Sequence, residues 1–376
     1  MHRAAYVSFD RFPSTKGSAV HIRHMAGELF DRFGGGLLCV LGGGDLPRYQ
    51  REGEVHIHRF DEPVPNLLDR ADAFSGWVAD RLAPHRDTLE LCHVRDPWGA
   101  VPALEVTDAR LVYEANGLPS IELPHAWPRV APSTLAKLET IERYCLERAA
   151  AVVVPSAVIA GAVRARGARD VHVVPNGADL PRPTARPADA PGRYLVYVGA
   201  LQPWQGVDVL LRAFGRLRDL EDLALVVCSS VPAQRARPLR RLADRLGVEV
   251  HWRYTVPHAE VAAWLAHAEV SVAPLTGSPR NVLQGCSPLK VWESMAAGVP
   301  VVASDLPAVR ELVTDGVHGR LVPPDRPAEL ARAIRMVLEY PDKARELADN
   351  ARRRIAENFT WPHARARLAT VYDQLC

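Results

Sequence analysis

The amino-acid sequence predicts an α/β protein of two doubly wound domains, each with a mainly parallel sheet. Three observations predict it. Short apolar runs alternate with amphipathic helical segments along the chain, the pattern of βαβ units. At 376 residues the chain exceeds what one core usually organises. A proline-rich stretch with no apolar period, Leu180 to Gly192, divides the alternation in two.

In the first half the apolar runs 4–8, 37–41, 55–58, 90–94, 111–114, 151–154 and 171–174 read as strands. Segments 19–33, 67–82 and 133–148 read as helices, the last opening on Ser133 as N-cap, with Leu135, Leu138, Ile141, Tyr144 and Cys145 at helical spacing. After the break the series restarts with strand 194–198, helix 207–218, strand 223–228, helix 234–246 and strand 249–252. Helix 258–267, strand 269–273, helix 288–297 and strand 299–303 follow, then helices 307–313, 327–339 and 342–357 and an amphipathic tail from Trp361 to Leu375. The domain boundaries are therefore 1–180, a linker 181–192, 193–358, and a terminal segment 359–376.

Composition removes several classes of function. The net charge of +2, with basic and acidic residues intermixed, gives no nucleic-acid footprint. No run approaches the roughly 18–20 apolar residues that span a bilayer, and the chain enters a strand almost at once with no leader pattern. Cys39, Cys92, Cys145, Cys228, Cys286 and Cys376 are isolated, which fits reduced thiols in the cytoplasm. A peripheral membrane contact stays open. No GxGxxG motif opens either half, against a nicotinamide dehydrogenase. No DxD or His/carboxylate spacing marks a metal site, so no metal or cofactor is expected.

The richest stretch runs from Ser287 to Ser304. Ser287 suits an N-cap, Pro288 a first helical position and Gly298 a left-handed C-cap before an apolar strand. Lys290 is the misfit, because a cation in the first helical turn opposes the macrodipole by roughly 0.3–1 kcal/mol. An anion held between the helix N-terminus and the ammonium removes the misfit. Glu293, about one turn further, is placed to accept hydrogen bonds from hydroxyls attached to such a phosphate.

This run, with Tyr197-Val198-Gly199-Ala200-Leu201 to Gln205-Gly206-Val207-Asp208 and Val174-Pro175-Asn176-Gly177-Ala178-Asp179, resembles the retaining family 4 glycosyltransferases of the GT-B fold. The resemblance implies two Rossmann-like domains facing one another across a central cleft, with the C-terminal helix crossing back to the N-terminal domain. It implies a nucleotide-diphosphate sugar as donor, an acceptor of unread identity, and the ribose held by Glu293. It implies donor contacts from Gly17 and Ser18 in the first loop (Phe9 to Ala19), where Ser18 also suits a helix cap, and from Gly199, Ala200 and Gln205. Further donor contacts are implied for Gly285, Cys286, Ser287, Pro288, Leu289 and Lys290, and, after strand 249–252, for Arg253 and Tyr254, with Trp252 beside them.

The chain departs from the family at three points. The usual arginine after the first glycine is Ala200, and the lysine before the second is Gln205. The first glutamate of the paired motif is Gly285, giving a variant proline-leucine-lysine form. Lys290, Lys16 or Arg280 then supplies the cation for the leaving diphosphate. The position where the family often has histidine is Asn116, which hydrogen-bonds but takes no proton at neutral pH. Lys290 and Asn116 are therefore the catalytic candidates, and Lys16, His21, Arg95 and Asp96 the acceptor-side ones, with Glu122 and His125 on a proline-flanked loop nearby.

The reaction implied is glycosyl transfer with retention, without metal, the departing phosphate oxygen taking the acceptor proton. No carboxylate pair of glycosidase type stands out. Two alternatives stay open: an epimerase or phosphorylase on the same architecture, and a non-catalytic homologue that binds sugar nucleotides.

Overall fold

The computed structural model describes residues 2–182, 184–285 and 287–376. It divides into two compact units, Met1–Pro175 with Ala364–Cys376, and Asn176–His363.

The first unit runs β1 (Ala4–Arg11), α1 (Gly17–Phe33), β2 (Gly36–Leu41), β3 (Tyr49–Glu52), β4 (Val55–Phe60), α2 (Leu67–Leu82), β5 (Leu91–Val94), α3 (Pro97–Val106), β6 (Arg110–Glu114), α4 (Pro119–Ala126), α5 (Pro132–Arg148), β7 (Ala151–Val154), α6 (Ala157–Arg164) and β8 (Val171–Val173). The strands lie in the order β3-β4-β2-β1-β5-β6-β7-β8. All neighbours are parallel except the β3–β4 hairpin at the edge. The winding reverses between β1 and β5, so this unit has its topological switch point there.

The second unit runs β9 (Arg193–Val198), α7 (Val207–Phe214), β10 (Leu223–Ser229), α8 (Arg237–Leu246), β11 (Val250–Tyr254), α9 (His258–Ala266), β12 (Val270–Ala273), α10 (Leu289–Ala297), β13 (Val301–Ser304), α11 (Pro307–Arg310), β14 (Arg320–Val322), α12 (Pro327–Glu339) and α13 (Pro341–Asn358). Its sheet, β11-β10-β9-β12-β13-β14, is parallel throughout and reverses between β9 and β12. Strands such as Tyr194–Val198 and Val301–Ser304 are buried on both faces, which is why they read as continuous apolar runs.

The last helix, α14 (Trp361–Leu375), gives its residues from Ala364 on to the first unit. There Leu368 and Tyr372 are fully buried. Arg365 pairs with Glu28 at 2.9 Å and Asp31 at 2.6 Å on α1, and Arg32 with Asp373 at 2.6 Å.

Three caps differ from the sequence reading. Helix α5 begins at Pro132 with Ala131 in the cap position, so Ser133 lies inside its first turn. Helix α1 begins at Gly17 with Lys16 in the cap position, so Ser18 does not cap it. Helix α10 begins at Leu289 behind Pro288, because the Ser287 hydroxyl is taken by Asn176 Nδ2 at 2.9 Å.

Candidate active site

The second unit's polar centre forms where β9 ends, at the switch point. Gly199 follows β9 with φ +138°, and a Cβ there would stand 2.9 Å from Lys290 Nζ. Only glycine lets the ammonium lie this close to the chain. Lys290, in the first turn of α10, donates to Tyr197 Oη at 2.8 Å and to Gln205 Oε1 at 2.5 Å, and lies 4.1 Å from the centre of the Tyr197 ring. Tyr197 Oη in turn donates to the Ala200 carbonyl at 2.5 Å. Tyr197 and Gln205 are neutral, and they orient the ammonium on this loop.

Two loops are stitched together around this point. Gly206, at φ +69°, packs its Cα against the Pro274 carbonyl, where a Cβ would lie 1.8 Å from the oxygen. Fully buried Asn281 donates to the carbonyls of Trp204 and Thr276, each at 2.9 Å. Arg280 lies 5.0 Å from the Trp204 ring centre. Gly285 takes φ 76° and ψ 174°, a conformation open essentially to glycine alone. Asn176 holds the loop from the other side through Ser287, so the Val174–Asp179 motif has a local mechanical role.

Glu293, one turn beyond Lys290, is largely buried, and its Oε1 lies 3.6 Å from His258 Nδ1. Burial pushes its carboxyl up to about 7, Lys290 acting against the shift and Asp179 with it. Leu289 and Pro288 are half-buried at the amino end of α10. Cys286 lies outside the described residues.

Arg253 and Tyr254 lie apart from this centre, at the end of the edge strand β11. Arg253 is bound to Asp189 at 2.7 Å and stacks over Trp264 at 5.3 Å, and Tyr254 stacks on Trp252 with ring centres 6.2 Å apart.

The first unit has its own polar centre, at the carboxyl ends of β1, β5 and β6. Glu114, 1 % exposed, closes β6. Its Oε1 lies 2.6 Å from His21 Nε2 on α1 and 2.9 Å from Arg95 Nε, and accepts from Asn116 Nδ2. Its Oε2 accepts from Tyr6 Oη at 2.9 Å and lies 2.9 Å from His93 Nε2. Burial opposes its ionisation, but His21 and Arg95 outweigh it and hold the carboxyl well below the usual range. Arg95 also reaches Asp10 at 3.0 Å. Asp96 stands beside this cluster as the N-cap of α3, accepting from Gly99 N at 3.0 Å and from Phe9 N at 2.6 Å. Burial pushes its carboxyl up to about 6.

The acceptor-side candidates His21 and Arg95 thus meet the catalytic candidate Asn116 on one carboxylate. Lys16 is exposed at the start of α1, with Gly17 and Ser18 half-buried behind it. Glu122 and His125 lie on α4, whose start is fixed by buried Glu142 accepting from Ser120 N and Oγ, each at 2.7 Å. Glu114, His93 and Tyr372 were not selected from sequence. For Glu114 and His93 the signal was a charged or imidazole residue in an otherwise apolar parallel strand, Leu111-Val-Tyr-Glu and Leu91-Cys-His-Val.

Among the described residues no group of three or more His, Cys, Asp or Glu side chains could hold a metal ion, and no helix is long and apolar enough to cross a membrane.

Comparison with known proteins gives the family and the fold. The model for Glycosyltransferase Family 4 matches residues 15–182, and that for Glycosyl transferases group 1 matches residues 192–340. The chain belongs to the family 4 glycosyltransferases of GT-B fold. Among this family's members, the MMP alpha-(1→4)-mannosyltransferase of Mycolicibacterium hassiacum is 35% identical over 54% of this chain and 48% of its own length. The D-inositol 3-phosphate glycosyltransferase of Thermobispora bispora is 35% identical over 50% of the chain and 44% of its own. The chain therefore matches about half the length of these relatives. The alpha-maltose-1-phosphate synthase of Mycolicibacterium smegmatis is 29% identical over 71% of the chain and 75% of its own length. Among solved GT-B structures, sucrose-phosphate synthase of Thermosynechococcus elongatus superposes with a TM-score of 0.81 at 19% identity, covering 99% of both chains. Anabaena HepE in complex with UDP and glucose superposes with 0.77 at 19% identity, covering 99% of this chain and 100% of that one.

Proposed function

We propose that the protein transfers a sugar from a nucleotide-diphosphate donor to an acceptor, with retention at the anomeric carbon and without a metal. The observation that carries this reading is Lys290. A lysine in the first turn of α10 is drawn onto the Gly199–Gly206 loop by Tyr197 and Gln205, where the family's usual cations are missing. Family membership and the UDP and glucose bound by HepE support a nucleotide-sugar donor.

In this reading the diphosphate lies against the amino end of α10. The helix N–H groups and Lys290 stabilise the charge that grows on the leaving phosphate. Gly199 and Gly285 let the backbone approach the ligand. Glu293 accepts from the ribose hydroxyls, and Asn116 hydrogen-bonds the sugar near the reacting carbon. The leaving phosphate oxygen takes the acceptor's proton as the new glycosidic bond forms on the same face.

The test begins with calorimetry of the full chain against UDP-glucose and GDP-mannose, with and without EDTA. Binding that Lys290→Ala or Glu293→Ala weakens supports the site, and binding that neither changes removes it. The anomeric configuration of the product, read by NMR, decides retention.

A further inference from the structure

We propose that Glu114 is a positioning residue for the reaction: its carboxylate fixes the amide of Asn116, and Tyr372 on α14 steadies it through His93. This rests on the glycosyl-transfer reading of Asn116 as a sugar contact.

An ionised carboxylate offers about four acceptor sites. Glu114 meets five side chains: His21 from α1, Tyr6 from β1, His93 and Arg95 at the end of β5, and Asn116 from the segment after β6. Burying a charge is costly unless it is paired, and an apolar residue of similar volume commonly serves stability as well or better. A hub of this kind, at the topological switch point of a parallel sheet, is where such a cost is met by function.

The network fixes orientations that isolated side chains would not keep. A carboxylate only accepts, so Asn116 must turn its NH2 toward Glu114 and carry its carbonyl oxygen on the opposite branch of the amide. An acceptor oxygen is then what Asn116 offers a sugar hydroxyl. His93 must place a proton on Nε2, facing Glu114 at 2.9 Å. Burial pushes its pKa down, so the ring is neutral and Nδ1 is an acceptor. Tyr372 Oη, 2.6 Å from Nδ1, is therefore the donor. The last helix, itself anchored by Arg365 and Asp373, thereby reaches the amide of Asn116 through one imidazole and one carboxylate.

Glu114→Gln tests this. A glutamine amide satisfies Asn116 in either orientation, so the fixed direction is lost while the volume is kept. With UDP-glucose as probe, acceptor-independent UDP release should fall roughly a hundredfold, the scale of a small misplacement of a contact group. The UDP-glucose Kd should stay as in the wild type. An unchanged rate, or a Kd that worsens in step with the rate, overturns the proposal. Tyr372→Phe covers the case in which Glu114→Gln does not fold, and it should lower the rate at constant Kd. The 15N spectrum of the wild-type histidines gives an answer independent of turnover. His93 must be neutral with its proton on Nε2, and a cationic ring or an Nδ1 proton at neutral pH overturns the hub. A wild-type chain that neither binds nor cleaves UDP-glucose or GDP-mannose counts against the glycosyl-transfer reading instead, leaving the spectrum to judge the network.

Discussion

Lys290 Nζ and Gln205 Oε1 are 2.5 Å apart although 85 residues separate them in the chain. The position where the resembled family carries its second cation therefore holds a neutral acceptor, and the ammonium arrives from α10. The cation beside this loop is thus carried by a helix and not by the loop itself.

That exchange makes Lys290→Ala a rate defect in the proposed reaction. Losing one charge stabiliser of a leaving group costs about 3–4 kcal/mol, so turnover should fall by roughly two to three orders of magnitude. Steady-state kinetics with the identified donor measure it. Gln205→Ala should fall less, because it only orients the ammonium, and a double-mutant cycle should show the two residues coupled. Additive effects would mean the pair does not act as a unit.

Glu293 predicts a pH dependence. Its folded carboxyl titrates at about 7, whereas the ordinary value is 4.5. Between those values the folded chain keeps a proton that the unfolded chain has released. Stability therefore falls as pH rises from about 4.5 to about 7 and levels off above, by on the order of 3 kcal/mol. Thermal unfolding of wild type and Glu293→Gln across this window checks it, since the glutamine variant should lose Glu293's share of the slope and keep that of Asp96, whose carboxyl is raised to about 6. Affinity for UDP-glucose should rise with pH through about 7 in the wild type only, because the carboxylate is the better acceptor for a hydroxyl.

Gly206→Ala tests the stitching of the loops. The substitution meets both a left-handed backbone and the Pro274 oxygen. A loss of about 3 kcal/mol or more is expected in urea unfolding. Gly161→Ala, whose Cβ would meet nothing within 4 Å, is the control that should not be destabilised.

Asn281→Ala should cost about 1–3 kcal/mol, because the carbonyls of half-buried Thr276 and Trp204 lose a donor from a fully buried side chain. Its distinguishing effect is on binding: with Trp204 released, UDP-glucose affinity should fall further than for a surface control such as Arg326→Ala. Calorimetry reads this directly.

Much of this was legible in the residues. Periodicity found nearly every strand, because parallel strands covered on both faces are written as unbroken apolar runs. It missed α3 and α4, where Pro102 and Pro124 lie inside the helices and hide the period. It missed β3 because Tyr-Gln-Arg-Glu on an exposed edge has no apolar face, and it missed the three-residue β14 and the eight-residue α6 as well. Lys290 stood out as a charge in the wrong helical turn, and the structure supplies its neutral partners. Glu114 did not stand out, because its five partners come from four separate segments and only the sheet's winding brings them together. Caps were the least legible, since Ser287 was judged by its helix while its hydroxyl is bound to Asn176.

The placement of Ala364–Cys376 in the first unit has a consequence for how the molecule is made. On the ribosome, residues up to Pro175 emerge well before their own last helix. At about 5–20 residues per second, translation of the intervening unit takes roughly 10–40 s. For that interval His93 awaits its phenol and Glu28 its guanidinium, and the nascent half must stay unfinished until α14 is made.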